Sequence, residues 1–440
     1  MASREGERLG SALRGGMRKL FARAKEVLLV DPDKHGVAGD AGERAAAEEL
    51  ARSASELKGG MAKVAQLMAY LEGPGAAVDA GARAALGALW DQAPGADPAA
   101  IRRVVAEDLG APPAEKFASW SDAPLAAASL GEVHAATSFD GAPLAVKVQY
   151  PGVAEGLRSD LESRRVLERL AGAEVGASLT PEALATLRDA VLAELDYVAE
   201  RKAMERFGQR FRGDASIVVP RTYPELSGAR VMSAERLVGA PLLTFAAEAP
   251  EADRAAVALT IFRFAWTAPL VHKLLNADPN PGNYLVLDGA AGRVGFLDFG
   301  CSVELDAATV SSDRALWRAL VGGEPAEFRA ALSQEGLLGR ARTLDSVTYR
   351  EWERYLVAPF AGDSFHWTIA YARDFSQLTS ELVRSGSFAL PPQALLLWRQ
   401  RLGVASVLGS IGATADYRSA LRTIARRAML AEAEERAEAE

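Results

Sequence analysis

The chain has 440 residues, 49% hydrophobic and 25% charged, which is ordinary for a globular protein with room for two or three packed units. Its formal net charge of −8 excludes nucleic-acid binding driven by the charge of the whole molecule. A single cysteine, Cys301, excludes an intrachain disulfide and favours a reducing cytosol. The four histidines are scattered and form no zinc motif.

Two stretches bear on membrane attachment. The most apolar candidate for a spanning helix, residues 394–398, runs into Arg399, and no stretch reaches the about 18 uncharged apolar residues that a span needs. Residues 1–16 lack the apolar core of a signal peptide. Residues 9–30 predict a basic amphipathic helix, which either contacts an anionic membrane or a partner, or packs on the protein's own body. We therefore expect a cytoplasmic protein, soluble or peripheral on the inner face of the membrane.

The residue pattern divides the chain into four segments. After the basic segment 1–36, residues 37–110 have few β-branched residues and predict a helical block. Residues 111–235 predict a β-rich lobe, and residues 236–440 a mostly helical lobe. The expected strands of the β-rich lobe lie at 131–136, 142–149, 217–219 and 229–233, with helices near 153–171 and 180–210. The sequence therefore predicts an α+β protein with the bilobal plan of protein kinases and an added N-terminal helical extension.

The most informative motif is Asn276-Ala-Asp-Pro-Asn-Pro-Gly-Asn283, followed by Asp298-Phe-Gly300 fifteen residues after Asn283. The Asp278-x4-Asn283 spacing and the downstream Asp-Phe-Gly are typical of the catalytic loop and metal-binding aspartate of kinase-like phosphoryl transferases. Between them, two short strand patterns flank a turn and predict a hairpin. The hairpin would place Asn283 beside Asp298, as two ligands of shared Mg²⁺ must be. Asp278 is then the candidate base or water-positioning group.

Lys147 is the candidate phosphate-binding lysine. In Leu144-Ala-Val-Lys-Val-Gln149, strand alternation places it opposite the branched apolar side chains. A lysine in such a strand is costly to bury unless it is paired. The lysine of the kinase Val-Ala-Ile-Lys motif is similar. The alternative is a lysine that extends to solvent from a half-exposed strand.

Glu194 is the expected partner of Lys147. It falls on the inward apolar stripe of the predicted helix 180–210, where an acid needs a cation, and Glu200 follows nearby. The alternative is a salt bridge within the helix to Arg201 or Arg188.

Two further segments are assigned to nucleotide binding. Ala126, Ala127, Ala128 and Ser129 occupy the place of the glycine-rich turn of ordinary kinases, although an alanine run by itself predicts a helix start. Glu235 and Leu237 come where the hinge between lobes is expected, and their backbone would hydrogen-bond adenine. This second assignment rests on order along the chain alone.

Taken together, these motifs resemble those of the UbiB-type atypical kinases, a protein-kinase-like family linked to ubiquinone biosynthesis. The resemblance covers roughly residues 50–330 and rests on six motifs in order: Lys63-x-x-Gln66, Ala126-Ala-Ala-Ser129, Lys147, Glu194-x-Asp196-Tyr-x-x-Glu200, Asp278-Pro-x-Pro-Gly-Asn283 and Asp298-Phe-Gly300. It implies a bilobal kinase fold that binds ATP or ADP with Mg²⁺. It also implies that the helical extension packs over the active-site cleft, with Lys63 and Gln66 reaching into it as catalytic residues.

Several positions depart from the family pattern. Ala65 stands where the extension motif has glycine, Glu132 replaces a usual glutamine, and Asn276 and Asn280 replace common histidines. These changes spare the charged residues needed for metal and phosphate. They put the substrate in doubt more than nucleotide binding.

The resemblance implies ATPase or atypical kinase activity that serves isoprenoid-quinone or related lipid metabolism, with a lipid or isoprenoid small molecule as partner. No Ala-Pro-Glu motif or long activation segment follows Gly300, which agrees with an acceptor that is not a protein. Two alternatives stay open. One is a phosphotransferase that acts on a soluble metabolite or natural product, and the other is a nucleotide-sensing scaffold with little turnover.

Overall fold

The computed structural model describes residues 96–128, 130–155, 158, 192–289, 291–323, 325–334, 347–388 and 392–439. The amphipathic segment 9–30, the helical extension with Lys63 and Gln66, and Ser129 lie outside the described residues, as does most of the helix expected at 153–171.

Helices and strands are numbered here in chain order over the described residues. The helices are α1 Pro98–Leu109, α2 Pro113–Lys116, α3 Tyr197–Arg210, α4 Leu242–Glu248, α5 Glu251–His272, α6 Ala307–Gly322, α7 Pro325–Gln334, α8 Val347–Ala361, α9 Ile369–Arg384, α10 Pro392–Ile411 and α11 Tyr417–Ala439. The strands are β1 Ser119–Ala128, β2 Gly131–Thr137, β3 Pro143–Gln149, β4 Ile217–Val218, β5 Val231–Glu235, β6 Gly239–Pro241, β7 Leu274–Asn276, β8 Tyr284–Leu287, β9 Val294–Phe296, β10 Ser302–Glu304, β11 Phe365–His366 and β12 Thr414–Ala415. The mixed α+β prediction is confirmed.

The β-rich lobe is built on an antiparallel sheet in the order β1-β2-β3-β5. One face, which carries Leu144, Val146 and Val148, is fully buried. Helix α1 covers this face. Asp97 caps its start, accepting a hydrogen bond from the Ala99 amide, and the left-handed Gly110 ends it. Because one face is sealed by α1, Lys147 must point to the other face, toward the second lobe.

Helix α5 is the central element of the helical lobe. It is apolar nearly all round, as buried helices are, and Val257, Ile261 and Phe262 are almost fully buried in the main core. Among the described residues it is the one helix long and apolar enough to cross a membrane, and 67% of its apolar window is buried within the fold. That burial is typical of the core helix of a globular domain.

The hairpin predicted between the catalytic loop and Asp-Phe-Gly is confirmed. Strands β8 and β9 pair antiparallel, with Tyr284 opposite Phe296. They join a second sheet in the order β4-β9-β8-β6. Below the hairpin, β7 pairs with β10, so that the strands entering and leaving the motif region also lie together. The Leu297 amide donates to the Asn283 carbonyl at 3.0 Å, which brings the two motifs side by side.

His272, at the end of α5, generates a prediction about acid stability. Burial, with Arg427 and Arg210 nearby, lowers its pKa from 6.5 to about 4. A depressed pKa means that the unfolded state binds the proton more tightly, so stability present above pH 6.5 is lost as pH falls toward 4. We expect wild type to lose about 1 kcal/mol more than His272→Gln between pH 7 and pH 5, allowing for partial exposure of the ring. Urea unfolding at both pH values measures this difference, and parallel losses in the two proteins would contradict it.

Candidate nucleotide and phosphoryl-transfer site

Lys147 is the centre of the site, where three elements meet. Its Nζ contacts Glu200 Oε1 at 2.8 Å and Oε2 at 2.9 Å, and Asp298 Oδ2 at 3.5 Å. The ring of Tyr197 lies under the ammonium group, with its centroid 4.9 Å away. Strand β3, helix α3 and the Asp-Phe-Gly turn are therefore joined through one nearly buried cation.

The charges that meet at Lys147 shift the pKa values of the side chains around it. Burial alone would lower the pKa of Lys147, but Asp298 and Glu200 outweigh it and raise this pKa well above 10.5. Burial, together with Asp298 and Glu194, raises the pKa of Glu200 to about 7 even though Lys147 acts in the opposite direction. Lys147 and the carboxylates of Glu200 and Asp298 therefore depend on one another, and Glu194 adds a further negative charge that acts on Glu200.

The expected pairing of Lys147 with Glu194 is wrong, since the structure pairs Lys147 with Glu200. The cause lies in the local backbone. A turn at 194–195 interrupts the helix predicted at 180–210. Helix α3 begins after Asp196, which is its N-cap: the Asp196 side chain accepts a hydrogen bond from the Ala199 amide at 2.9 Å. The restart shifts the helical phase, so that Glu200 faces the lysine.

Glu194 nevertheless lies at the site. Its side chain is buried, and a β-carbon built on Gly300 would lie 3.6 Å from Glu194 Oε2 and 3.4 Å from Asp298 Oδ1. Gly300 therefore sits between two carboxylates.

Both carboxylate oxygens of Asp278 are held, one from the catalytic loop and one from α10. Asn283 Nδ2 approaches Asp278 Oδ2 at 3.3 Å and also the Asp278 carbonyl at 3.2 Å. Arg399 Nη2 from α10 lies 3.3 Å from Asp278 Oδ1. Asn276, which replaces the common histidine, ties the loop to the next motif by donating from Nδ2 to the Asp298 carbonyl at 2.8 Å.

Asp298 is fixed by its own turn. Its Oδ1 accepts from the Gly300 amide at 2.9 Å, while Phe299 is buried against Phe207 of α3 with ring centroids 4.9 Å apart. The carboxylate remains about one-fifth exposed. The carboxylate therefore lies at the surface of the cleft and is not fully buried in the core.

The residues present fit a Mg²⁺ ion bound with phosphate. The Asp298 carboxylate and the side-chain oxygen of Asn283 lie at adjacent ends of the hairpin, and oxygen atoms are the ligands that Mg²⁺ prefers. Within the described part of the chain, no three acidic, histidine or cysteine side chains converge to form a complete metal site. Mg²⁺ bound to a nucleotide needs none, because phosphates and water complete its coordination.

The alanine run adopts neither a loop nor a helix start. Ala126, Ala127 and Ala128 form the end of strand β1, opposite Val133, Glu132 and Gly131 of β2. Leu130, just before β2, lies in a turn. A β-carbon at Gly131 would lie only 2.0 Å from the Val148 carbonyl oxygen, so glycine there allows β2 to pass close to β3.

The proposed hinge residues lie at the end of β5. The Glu235 amide already donates to the Arg221 carbonyl at 2.7 Å, so this amide is not open to adenine. Leu237 follows and packs on the hairpin, because a β-carbon at Gly295 would lie 2.7 Å from Leu237 Cδ1.

Apolar residues that the sequence analysis did not single out share the face of Lys147. Val133 and Met232 are its cross-strand neighbours, and Ala145 precedes it by two positions on that face. On the hairpin, Leu285 occupies the same face as Gly295. Strand alternation counted from Lys147 would have found the first three. Arg399 was also missed, and no local pattern marks it.

The arrangement, with a paired lysine, a catalytic-loop motif and an Asp-Phe-Gly turn brought together, is that of a protein-kinase-like domain. The ABC1 atypical kinase-like domain matches residues 88–330, more than half of the chain, and the chain therefore belongs to this family. The resemblance to UbiB-type atypical kinases is confirmed.

Individual relatives agree with this family. The mitochondrial atypical kinase COQ8 of Saccharomyces cerevisiae is 30% identical over 46% of this chain, and COQ8B of Rattus norvegicus is 31% identical over 46%. These matches span only 40% and 38% of the relatives' own lengths. An uncharacterized protein of Mycobacterium tuberculosis is 28% identical over 81% of this chain and 73% of its own.

A solved structure supports the fold. The Rv3197–erythromycin complex from Mycobacterium tuberculosis superposes with a TM-score of 0.60 at 24% identity, covering 87% of this chain and 96% of that chain.

The corrected partner of Lys147 can be tested by double-mutant cycles. We expect Lys147→Met and Glu200→Gln to couple by about 2 kcal/mol in urea unfolding, because they share a nearly buried ion pair. The cycle of Lys147→Met with Glu194→Gln is the matched control and should show a smaller coupling. Measurements at pH 8 keep Glu200 ionised, above its pKa of about 7. A larger coupling to Glu194 would restore the original assignment.

Proposed function

We propose that the protein is an ATP- and Mg²⁺-dependent atypical kinase or ATPase. The observation that carries the proposal is Lys147, held between Glu200 and Asp298, whose carbonyl accepts a hydrogen bond from Asn276 of the catalytic loop. A nearly buried ammonium group is costly unless negative charges pair with it. In this proposal the carboxylates of the fold and the phosphates of a ligand both supply such charges.

In this proposal Lys147 binds the α- and β-phosphates, and Glu200 takes the orienting role first assigned to Glu194. Adenine lies between the apolar face of the β-rich lobe, with Val133 and Ala145, and Leu285 of the hairpin. Leu237 would close the inner end of this pocket.

Asp298 and Asn283 would hold Mg²⁺ together with the phosphates. The ion supplies neutralisation of phosphate charge during transfer. Asp278 orients the hydroxyl or water that attacks the γ-phosphate, or takes its proton. Its two carboxylate oxygens are held by Asn283 and Arg399, so it reaches the acceptor in one defined orientation.

The segment after Gly300 supports an acceptor that is not a protein. Strand β10 returns at once to pair with β7, and only residues 301–306 separate Gly300 from α6. Protein kinases dock peptides on the longer activation segment that normally follows this motif. A short paired strand offers no such platform.

The acceptor and pathway follow from the family resemblance. We propose that the protein serves isoprenoid-quinone or related lipid metabolism, with Lys63 and Gln66 of the helical extension completing the cleft. We further propose a cytoplasmic location, with residues 9–30 contacting an anionic membrane peripherally.

Metal-dependent nucleotide binding is the first test. We expect Asp298→Asn to lose most of the Mg²⁺-dependent part of ATP affinity, because the amide removes the charged ligand of the ion. Calorimetric titration of ATP with and without Mg²⁺ measures this effect. Asp288→Asn, at the exposed far end of the same hairpin, is the matched control and should bind as wild type does. Unchanged Mg²⁺-dependent affinity in Asp298→Asn would refute the metal assignment.

The pathway is tested in cells. A deletion strain should show altered isoprenoid-quinone or lipid content, and complementation with Asp278→Asn should fail to restore it, since this change removes the group that orients the acceptor. Mass spectrometry of lipid extracts gives the measurement, with wild-type complementation as control. Full restoration by Asp278→Asn at equal protein level would favour a scaffold, and an altered soluble metabolite with unchanged lipids would favour a small-molecule phosphotransferase.

A further inference from the structure

Helix α10 forms the support on which the catalytic loop rests. Leu397 belongs to a separate apolar cluster with Leu275, Ala277 and Cys301, which flank the two catalytic motifs. Nearby, Gly403 packs against Pro279 so closely that a β-carbon would lie 2.4 Å from Pro279 Cγ. The helix and the loop therefore meet over two helical turns.

Arg399 lies on the same side of α10, four residues before Gly403, and reaches the loop. Its Nη2 is 3.3 Å from Asp278 Oδ1, and its Nη1 is 3.8 Å from Cys301 Sγ. The side chains of Arg399 and Asp278 are only 10% and 3% exposed. Because so little water reaches the pair, each charge depends strongly on the other.

The two contacts of Asp278 restrict its orientation. Asn283, five residues away, holds one carboxylate oxygen, and Arg399, 121 residues away, holds the other. With one contact the carboxylate is free to rotate about its last bond, whereas with two it is fixed. Phosphoryl transfer depends on such positioning, since the protein contributes little covalent chemistry.

We propose that Arg399 is a positioning residue for phosphoryl transfer, which holds Asp278 in its working orientation from a helix outside the matched family region 88–330. This inference rests on the proposed function. Arg399 contacts Asp278 and Cys301, and the role proposed for it is the positioning of Asp278.

Steady-state ATP turnover by the full-length chain tests the inference. We expect Arg399→Gln to lower kcat about 10- to 100-fold, while KM for ATP and the calorimetric affinity for Mg²⁺–ADP stay within about twofold of wild type. Arg399→Lys keeps the charge with a shorter reach and should recover part of the loss. Gln400→Met, at a buried neighbour whose Nε2 donates to the Ala265 carbonyl, is the control for simple loss of helix packing.

A double-mutant cycle separates positioning from stability. If Arg399 acts through Asp278, its loss should add nothing once Asp278→Asn has removed the group it positions. The double variant should therefore match Asp278→Asn within about twofold in kcat. Fully additive losses would overturn the inference.

Gly403→Ala tests the same support without removing a charge. Alanine normally stabilises a helix relative to glycine, but here the new β-carbon would displace Pro279 and the catalytic loop. We expect kcat to fall with nucleotide affinity preserved. Gly322→Ala, where a β-carbon meets nothing within 4 Å, is the matched control and should leave kcat unchanged.

The outcomes are distinct. An inactive wild-type chain would refute the proposed function itself. An active wild type with unchanged kcat in both Arg399→Gln and Gly403→Ala would refute the role of α10 alone, as would an equal loss in Gln400→Met.

Discussion

The structure depends on one nearly buried cation shared by both lobes. Lys147 comes from the β-rich lobe, Glu200 from helix α3, and Asp298 from the helical lobe. Separating the lobes would leave these charges unpaired in a region of low dielectric, which is costly. Glu194 adds a further negative charge that acts on Glu200. The contact between the lobes and the pairing of Lys147 are therefore two consequences of one arrangement.

A second set of contacts fixes the catalytic loop and the Asp278 side chain. The strands β7 and β10 and the hairpin β8–β9 fix the backbone of the two motifs, but backbone pairing does not fix the orientation of Asp278. That orientation comes from the side chains of Asn283 and Arg399. The Lys147 end of the site is thus organised by the β-rich lobe and α3, whereas the Asp278 end is organised by α10.

Local spacing accounts for what the sequence predicted well. The hairpin between Asn283 and Asp298 and the inward face of Lys147 follow from patterns a few residues long, and both agree with the structure. Glu194 was chosen over Glu200 because helical periodicity was continued through Asp196, where a side-chain cap restarts the helix. The alanine run forms the end of a strand where a turn was expected, because pairing with β2 decides its conformation. Arg399 lies 121 residues from Asp278, and no periodicity connects them.

The short connection after Gly300 explains why the catalytic loop is held by contacts from α10. In kinases with a long activation segment, that segment both docks the protein substrate and orders the catalytic loop. Here six residues, 301–306, lead directly into α6, so the segment can do neither. Other contacts must then order Asp278. Helix α10 provides them through the Arg399 side chain, the apolar cluster that contains Leu397, and the close contact of Gly403 with Pro279. Because this support is built into the fold and needs no phosphorylation, we infer that the loop is permanently ordered. Access to the cleft would then govern turnover, and assembly of the catalytic residues would not limit it.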